Sequence, residues 1–380
     1  MKKILMVENS DPFAFGGGSF ASMSHIKVFS DVFGGRLDVC IADSCENKTF
    51  DFCVNKVFRV PPRPLFFRLL SFITGDLHRY TGYVKKLISN ENDYDMCVYD
   101  NGRISGTLAK ISKMKGKTIV TIHHNYEPDY IWGNTSKFLR MLIINHVKRL
   151  EKKAFQLSDV NLFLTQEDLE IFKAKYGTCK GKNFVIGTYE FSRQNCAYEK
   201  KIFGKRTIVI TGALSDLQTL DGIDWFFKDL YDVIPKDYSI IIAGRNPSPL
   251  IKKLCCKYNN VSLIENPQSM DEVIKQADIY VCPTKVGGGI KLRVMDGLKA
   301  GMPVIVHEVS ARGYRNFFCL PLFRRFKSKD EFKQSFNEID SLIKNGKINS
   351  DEIRASYEKY FSYDAGKNRI LTALKSSGII

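Results

Sequence analysis

Short apolar runs alternate along this chain with longer stretches in which apolar residues recur every three or four positions. In the N-terminal half the runs predict buried strands at 3–7, 37–42, 96–99, 117–122 and 160–164. The periodic stretches predict amphipathic helices at 20–33, 104–113, 136–157 and 166–176. Short strands each followed by a helix imply a parallel, doubly wound sheet. The pattern restarts after a polar stretch, 190–205, with strands at 207–211, 239–243, 261–264, 278–282 and 303–306. Helices at 223–233, 249–257, 270–276 and 290–299 lie between them, and a helical tail follows at 351–376. The pattern therefore predicts an α/β protein of two doubly wound domains, 1–189 and 206–350. The linker is 190–205, and segment 351–380 packs back across the junction.

Composition agrees: 380 residues exceed one comfortable core, and 44% hydrophobic with 26% charged residues is a globular balance. The ten cysteines are scattered with no C-x-x-C spacing, which argues against disulfides and against a zinc site. Glu8 and Asp11 interrupt the first apolar stretch, so it reads as a strand and not as a signal-peptide core. No run approaches bilayer-spanning length, and a cytoplasmic location is expected. The net charge of +16 calls for an anionic partner: nucleic acid, an anionic membrane face or a phosphorylated small molecule. Segment 59–79 interleaves Arg63, Arg68 and Arg79 with Leu65, Phe66, Phe67 and Phe72 after three prolines. It suits either a surface at the headgroup layer of a membrane or a core helix after a Pro-rich loop.

The densest chemistry lies in 283–306. A strand end leads into the turn Gly287-Gly288-Gly289-Ile290, then a helix carrying Lys291, Arg293 and Asp296, then the turn Gly301-Met302-Pro303 and another strand. Backbone amides at a helix N-terminus favour an anion, and glycine lets a bulky diphosphate approach. Cations in a first helical turn are locally unfavourable, which points to a compensating ligand.

This run resembles the donor-binding signature of family 4 retaining glycosyltransferases of the GT-B fold: a glycine-rich turn, two basic residues one apart, two apolar residues, an acid, and then Gly-x-Pro-Val-Val. The resemblance implies two Rossmann-like domains facing across a cleft. It also implies a nucleotide diphosphate sugar as donor substrate, no cofactor, no essential metal and retention of anomeric configuration. Many members pair two glutamates eight positions apart, the first on the donor sugar and the second on the ribose hydroxyls. Here those positions hold Gly288 and Asp296, so amides replace the first and a shorter acid the second. Thr211-Gly212-Ala213-Leu214 and Ile242-Ala243-Gly244-Arg245 resemble the first two strand ends of the donor domain. The family's usual Arg and Lys are missing from 213–222. Arg245, Lys285, Lys291 and Arg293 are the candidate replacements, with Gly212 in the donor-binding set.

The N-terminal half resembles the family more diffusely. Phe15-Gly16-Gly17-Gly18-Ser19 follows the first strand and opens a helix, so Gly16, Gly17 and Gly18 are placed at the acceptor side of the cleft or in a tight structural turn. After strand 117–122 comes His123-His124-Asn125-Tyr126-Glu127. Members often carry His-Asn-x-Glu or Thr-x-His here, which marks His124 and His123 as candidate catalytic residues and Asn125 and Glu127 as cleft residues. The one Asp-x-Asp, Asp93-Tyr94-Asp95, precedes a strand and belongs at the edge away from the cleft.

The expected activity is transfer of a sugar to a hydroxyl of a lipid-linked saccharide acceptor in surface polysaccharide synthesis, at the inner face of the cell membrane. An anionic membrane surface is the expected partner. Three alternatives stay open at this stage. A sugar-nucleotide epimerase of the same fold would need carboxylates at the sugar. A nucleic-acid binder would show clustered cations with interleaved aromatics, whereas the cations here are spread through both halves, so no nucleic-acid partner is expected. An inactive partner subunit would lack donor hydrolysis.

Overall fold

In a computed structural model, residues 3–8, 11–14, 16–42, 48–60, 64, 66, 81–90, 94–134, 137–191 and 205–380 are described. Phe15, most of segment 59–79 and most of the polar stretch 190–205 lie outside the described residues. The chain divides into two compact units: unit 1 is Met1–Arg193 with Phe361–Ile380, and unit 2 is Gln194–Tyr360.

Unit 1 runs β1 (Lys3–Glu8), α1 (Gly17–Phe33), β2 (Leu37–Ala42), β3 (Lys56–Val60), α2 (Thr81–Asn90), β4 (Tyr94–Asp100), α3 (Gly102–Met114) and β5 (Thr118–His123). It continues through α4 (Glu127–Asn134), α5 (Lys137–Leu157), β6 (Val160–Phe163), α6 (Gln166–Tyr176) and β7 (Lys182–Val185). Seven parallel strands pair in the order β3-β2-β1-β4-β5-β6-β7. Strand order reverses between β1 and β4, the point at which an open α/β sheet opens a crevice at its carboxyl edge.

The amino edge of this sheet is closed by polar pairing. Asp38, fully buried on β2, accepts from the Tyr94 hydroxyl at 2.6 Å and the Asn55 amide at 2.6 Å. Asp95, at the start of β4, accepts from the Lys3 amide at 2.9 Å, so this acid sits at the amino edge as its position before a strand predicts.

Unit 2 runs β8 (Thr207–Ala213), α7 (Leu217–Trp225), β9 (Ser239–Arg245), α8 (Pro249–Cys256), β10 (Val261–Glu265), α9 (Met270–Ile274) and β11 (Ile279–Cys282). Then come α10 (Arg293–Lys299), β12 (Val304–His307), β13 (Phe323–Phe326), α11 (Lys329–Lys344) and α12 (Ser350–Phe361). The helix predicted at 223–233 is broken: a π turn, Phe226–Leu230, and a 3-10 turn, Tyr231–Val233, follow α7. Six parallel strands pair in the order β10-β9-β8-β11-β12-β13, reversing between β8 and β11.

The last helix, α13 (Tyr363–Ser376), belongs to unit 1. Tyr363, Ile370, Ala373 and Leu374 join Ile4, Met6, Ile26 and Phe29 in one apolar cluster. Gly366 allows this docking, because a Cβ there would fall 2.0 Å from the Tyr189 ring. At the same, amino-terminal end of the helix Tyr363 and Lys367 both donate to Asp31, at 2.8 and 2.7 Å.

Helices α3 and α5 cross at Gly106, where a Cβ would lie 2.0 Å from the Leu150 carbonyl oxygen. Overpacking of this kind costs about 1–3 kcal/mol, so Gly106→Ala should lower the thermal midpoint by several degrees. Gly35→Ala, with nothing within 4 Å of the added carbon, serves as control. Equal midpoints for the two variants in a melting experiment would refute this packing.

Candidate functional site

In unit 2 the candidate residues gather at the carboxyl edge, where strand order reverses. The segment after β11 is pinned from several sides. Ser310 Oγ donates to the Thr284 carbonyl at 2.7 Å, and Gly222 of α7 lies so close that a Cβ would sit 2.9 Å from Thr284 Cα. Gly287 and Gly289 take φ of +95° and +69°, the left-handed region that glycine occupies without strain. A side chain on Gly287 would also strike Gln218 at 2.4 Å. The turn thus needs glycine for its backbone shape and for its contact with α7.

The helix that follows begins at Arg293, not at 290, and spans seven residues. Lys291 therefore lies in the loop, not in the first turn. Its ammonium is buried and donates to the Gly288 carbonyl at 2.9 Å, folding the loop on itself. Arg293 reaches across the reversal point. Its guanidinium donates to Thr219 Oγ1 at 3.0 Å and to the Thr211 carbonyl at 3.3 Å. Gly212 makes room for it, since a Cβ there would be 2.5 Å from Arg293 Nη1. The loop after β8 has no cation of its own, and Arg293 brings one to it from α10.

Asp296 is half-buried on α10, and Gly297 lets that helix lie against the Tyr280 ring, 2.7 Å from a Cβ position. Burial first, and the Asp296 charge second, push the Tyr280 hydroxyl well above its ordinary value. Tyr280 is thus a neutral partner for Thr211, 2.6 Å away. Ile290 is half-buried in the same loop, while Gly288 and Gly289 are buried. Arg245 is exposed at the end of β9. Lys285 lies over the Trp225 ring at 4.9 Å.

In unit 1 the carboxyl edge holds a polar cluster of which only His124 was anticipated. Asp100, buried at the end of β4, accepts on one oxygen from His124 Nε2 at 2.6 Å and His25 Nδ1 at 2.9 Å. Its other oxygen accepts from Ser22 Oγ at 2.8 Å. Ser22 and His25 lie one turn apart on α1, so a single helix face meets the end of β4. Burial works against the charge on Asp100, but His124 and then His25 hold its carboxyl well below the ordinary range. Burial likewise opposes charge on His124, and the adjacent Asp100 outweighs it, leaving the ring's pKa above its ordinary value.

Glu8, at the end of β1, is wholly buried, and neither of its carboxylate oxygens has a hydrogen-bond partner. Burial, and then the Asp100 charge, raise its pKa well above the ordinary range, so it is held as the neutral acid. The donor atoms of His25, Asp100 and His124 lie within 4.8 Å of one another, the one grouping among the described residues that could hold a metal ion. Hydrogen bonding already satisfies that geometry.

His123 points the other way. Its ring stacks on Phe163 (centroids 4.7 Å) and meets Phe172 edge-on. Nε2 pairs with Asn161 at 2.9 Å, and burial lowers the ring's pKa to about 4. β5 ends at His123, so the expected histidine pair divides into one buried packing residue, His123, and one edge residue just beyond the strand, His124. Glu127 opens α4 and is tied down: it accepts from Asn101 at 2.9 Å and lies 3.2 Å from Arg103. Asn125 keeps a buried Oδ1 without a hydrogen-bond partner beside this edge. Gly16, Gly17 and Gly18 are exposed at the start of α1, with Gly16 as its cap residue.

Residues 205–319 match the family described as glycosyl transferases group 1, a span that lies within unit 2 and contains the pinned loop. No match was found among curated proteins. Sucrose-phosphate synthase from Thermosynechococcus elongatus superposes with a TM-score of 0.76 at 13% identity, over 99% of each chain. HepE of Anabaena, solved in complex with UDP-glucose, gives 0.67 at 13% identity over 99% of this chain and 100% of that one. The lipopolysaccharide outer core galactosyltransferase WaaB gives 0.66 at 14% identity over 99% of each. The chain has the GT-B fold. Both Rossmann-like units of that fold thus place their candidate residues at the carboxyl edges where strand order reverses.

The Asp100–histidine cluster has a pH signature. His124, with its pKa raised above 6.5, contributes stability that is complete below about that pH and is lost as pH rises through the folded value. Asp100, lowered below 3.8, contributes stability that is present above that value and lost as pH falls through the folded one. Asp100→Asn should therefore cost most stability between those two pH values, with the difference from wild type shrinking above them. Thermal midpoints of both proteins across pH test this; a difference independent of pH would refute it.

Proposed function

We propose that the chain is a group 1 glycosyltransferase that moves a sugar from a nucleoside diphosphate sugar to a hydroxyl of a lipid-linked saccharide. In this reading anomeric configuration is retained, no metal is essential, and the product feeds a surface polysaccharide. The observation that carries the reading is a coincidence of place: the family match covers the glycine loop that Gln218, Thr284 and Arg293 hold at the reversal point of unit 2. Complexes of Anabaena HepE with UDP and with UDP-glucose support a nucleoside diphosphate sugar as donor. WaaB, a lipopolysaccharide galactosyltransferase, supports a surface-polysaccharide role. The net charge of +16 supports work at the anionic cytoplasmic face of a membrane.

The transfer breaks the bond between the anomeric carbon and the diphosphate oxygen and forms one to the acceptor oxygen. Charge gathers on the departing diphosphate, and fixed donors that meet it lower the barrier most. Lys291, Arg293 and the amides of Gly287, Gly288 and Gly289 are assigned to it, with Arg245 as an outer cation beside Gly212. Ile290 packs the loop, and Asp296 accepts from the ribose hydroxyls. In unit 1, His124 acts on the acceptor hydroxyl. Asp100 holds its ring, and Gly16, Gly17, Gly18 and Asn125 line the acceptor side. Glu127 fixes the start of α4.

Calorimetric titration tests the donor half. Asp296→Asn should weaken a nucleoside monophosphate and a diphosphate alike, by about 1–3 kcal/mol, the scale of a charge-assisted hydrogen bond. Lys291→Ala and Arg293→Ala should weaken the diphosphate more than the monophosphate and also slow turnover. Unchanged affinities in folded protein would remove the donor from this loop.

His124→Ala should lower turnover about 10²–10⁴-fold, the usual worth of a positioned acid or base, with donor affinity unchanged. Rates from donor-consumption assays decide it, and full activity in this variant would sink the assignment.

A further inference from the structure

Helices α4 and α5 carry several large, exposed apolar side chains. Trp132 is 60% exposed, Phe138 75% and Met141 71%, with Leu142 half exposed beside them. Phe138, Met141 and Leu142 are spaced three and four residues apart, so they form one stripe on the outer face of α5. Large side chains of this kind rarely lie together in water unless they meet a partner. Further along the same helix the exposed positions turn basic: Lys148, Arg149 and Lys152. The only acid in α5, Glu151, is fully buried and accepts from the Glu127 amide and the Tyr176 hydroxyl, each at 2.8 Å. The outer face of α5 is therefore apolar at one end, cationic at the other, and free of negative charge.

The cationic end continues onto neighbouring helices. Burial first, and then Lys110 of α3 and Lys85 of α2, lower the pKa of Lys153. Like charges are close enough there to repel, an arrangement that an external polyanion relieves. No helix among the described residues is long and apolar enough to cross a membrane. An aromatic and aliphatic tip beside a band of lysine and arginine is the pattern of a surface that lies in the headgroup layer.

We infer that the α4–α5 face is a docking surface for an anionic phospholipid bilayer, with Trp132, Phe138 and Met141 entering the headgroup–acyl boundary and Lys148, Arg149 and Lys152 resting on the phosphates. Apolar insertion supplies binding that salt does not screen, and the basic band supplies binding that salt does. Glu127 begins α4 only three residues after His124, so a bilayer held by this face lies close to the Asp100–His124 cluster. A saccharide anchored to lipid would then present its hydroxyl to that edge. The inference shares with the functional reading only a membrane-borne acceptor. Its test reads no turnover, so either can fail without the other.

The chain has two tryptophans, and Trp225→Phe leaves Trp132 as the single reporter. Vesicles of phosphatidylcholine alone are compared with equal mixtures of phosphatidylglycerol and phosphatidylcholine. The protein should co-sediment with the anionic vesicles, and Trp132 emission should shift to the blue and be quenched by brominated acyl chains. A triple variant, Trp132→Ser with Phe138→Ser and Met141→Ser, should lose roughly tenfold or more of that binding while keeping its thermal midpoint. Lys148→Gln with Arg149→Gln and Lys152→Gln should bind weakly and lose most of the salt dependence. Equal sedimentation of wild type and both variants, or an unshifted Trp132, would overturn the inference. A blue shift that grows with protein concentration without vesicles, accompanied by a doubled mass, would also overturn it by making this face a contact between copies of the chain.

Discussion

A parallel sheet cannot be built from hairpins, so every strand must be reached by a crossover, and all strand ends of one kind collect on one edge. Where the crossovers change direction, the loops diverge and leave the carboxyl edge open. Both sheets here obey that constraint, reversing between β1 and β4 and between β8 and β11. In unit 1 the reversal brings together Glu8 from β1, Asp100 from β4, His25 from α1 and His124 after β5. In unit 2 it brings the loop after β11 against the end of β8, and Arg293 spans the gap. Residues scattered over more than a hundred positions of sequence meet because the sheet leaves them no other edge.

The two edges of the unit 1 sheet are treated differently. At the amino edge Asp38 is satisfied by Tyr94, Asn55 and Lys3. At the carboxyl edge, among the described residues, the Glu8 carboxyl, the Asn125 oxygen and His123 Nδ1 are buried without a hydrogen-bond partner. Buried polar groups without partners cost free energy, so an edge that carries them is less stable than its sequence could make it. Neutral Glu8 beside ionised Asp100 shows how the strain is limited: one carboxyl gives up its charge so that its neighbour can keep two imidazoles in place.

Much of this architecture was legible in the sequence. Strand 37–42 and helix 166–176 coincide with β2 and α6: the first is apolar at every position but Asp38, and Thr165 and Gly177 cap the second. β3, β7 and β13 were missed, being short edge strands whose alternation is weak. The donor loop was visible because its glycines, cations and turn lie within one local stretch. The unit 1 cluster was not, since it assembles from four separate elements. Asp100 ends an apolar run and Glu8 ends the first strand, and an acid closing a buried strand was the signal available for both. The start of α10 at Arg293 was misjudged because Gly289 takes a left-handed turn and delays the helix. His123 and His124 look alike in sequence; only the end of β5 between them separates them.

The last helix has a consequence for how the chain is made. α13 completes the apolar cluster of unit 1 by laying Ile370 and Leu374 against residues of β1 and α1. Gly366 at the Tyr189 ring fixes where it lands. These residues follow all of unit 2 in the chain, so they leave the ribosome after it. The second unit can thus close its core during synthesis while the first waits with part of its apolar face uncovered. The order of completion is the reverse of the order in sequence, and Phe361–Ile380 acts as the seal on a unit whose other residues all precede unit 2.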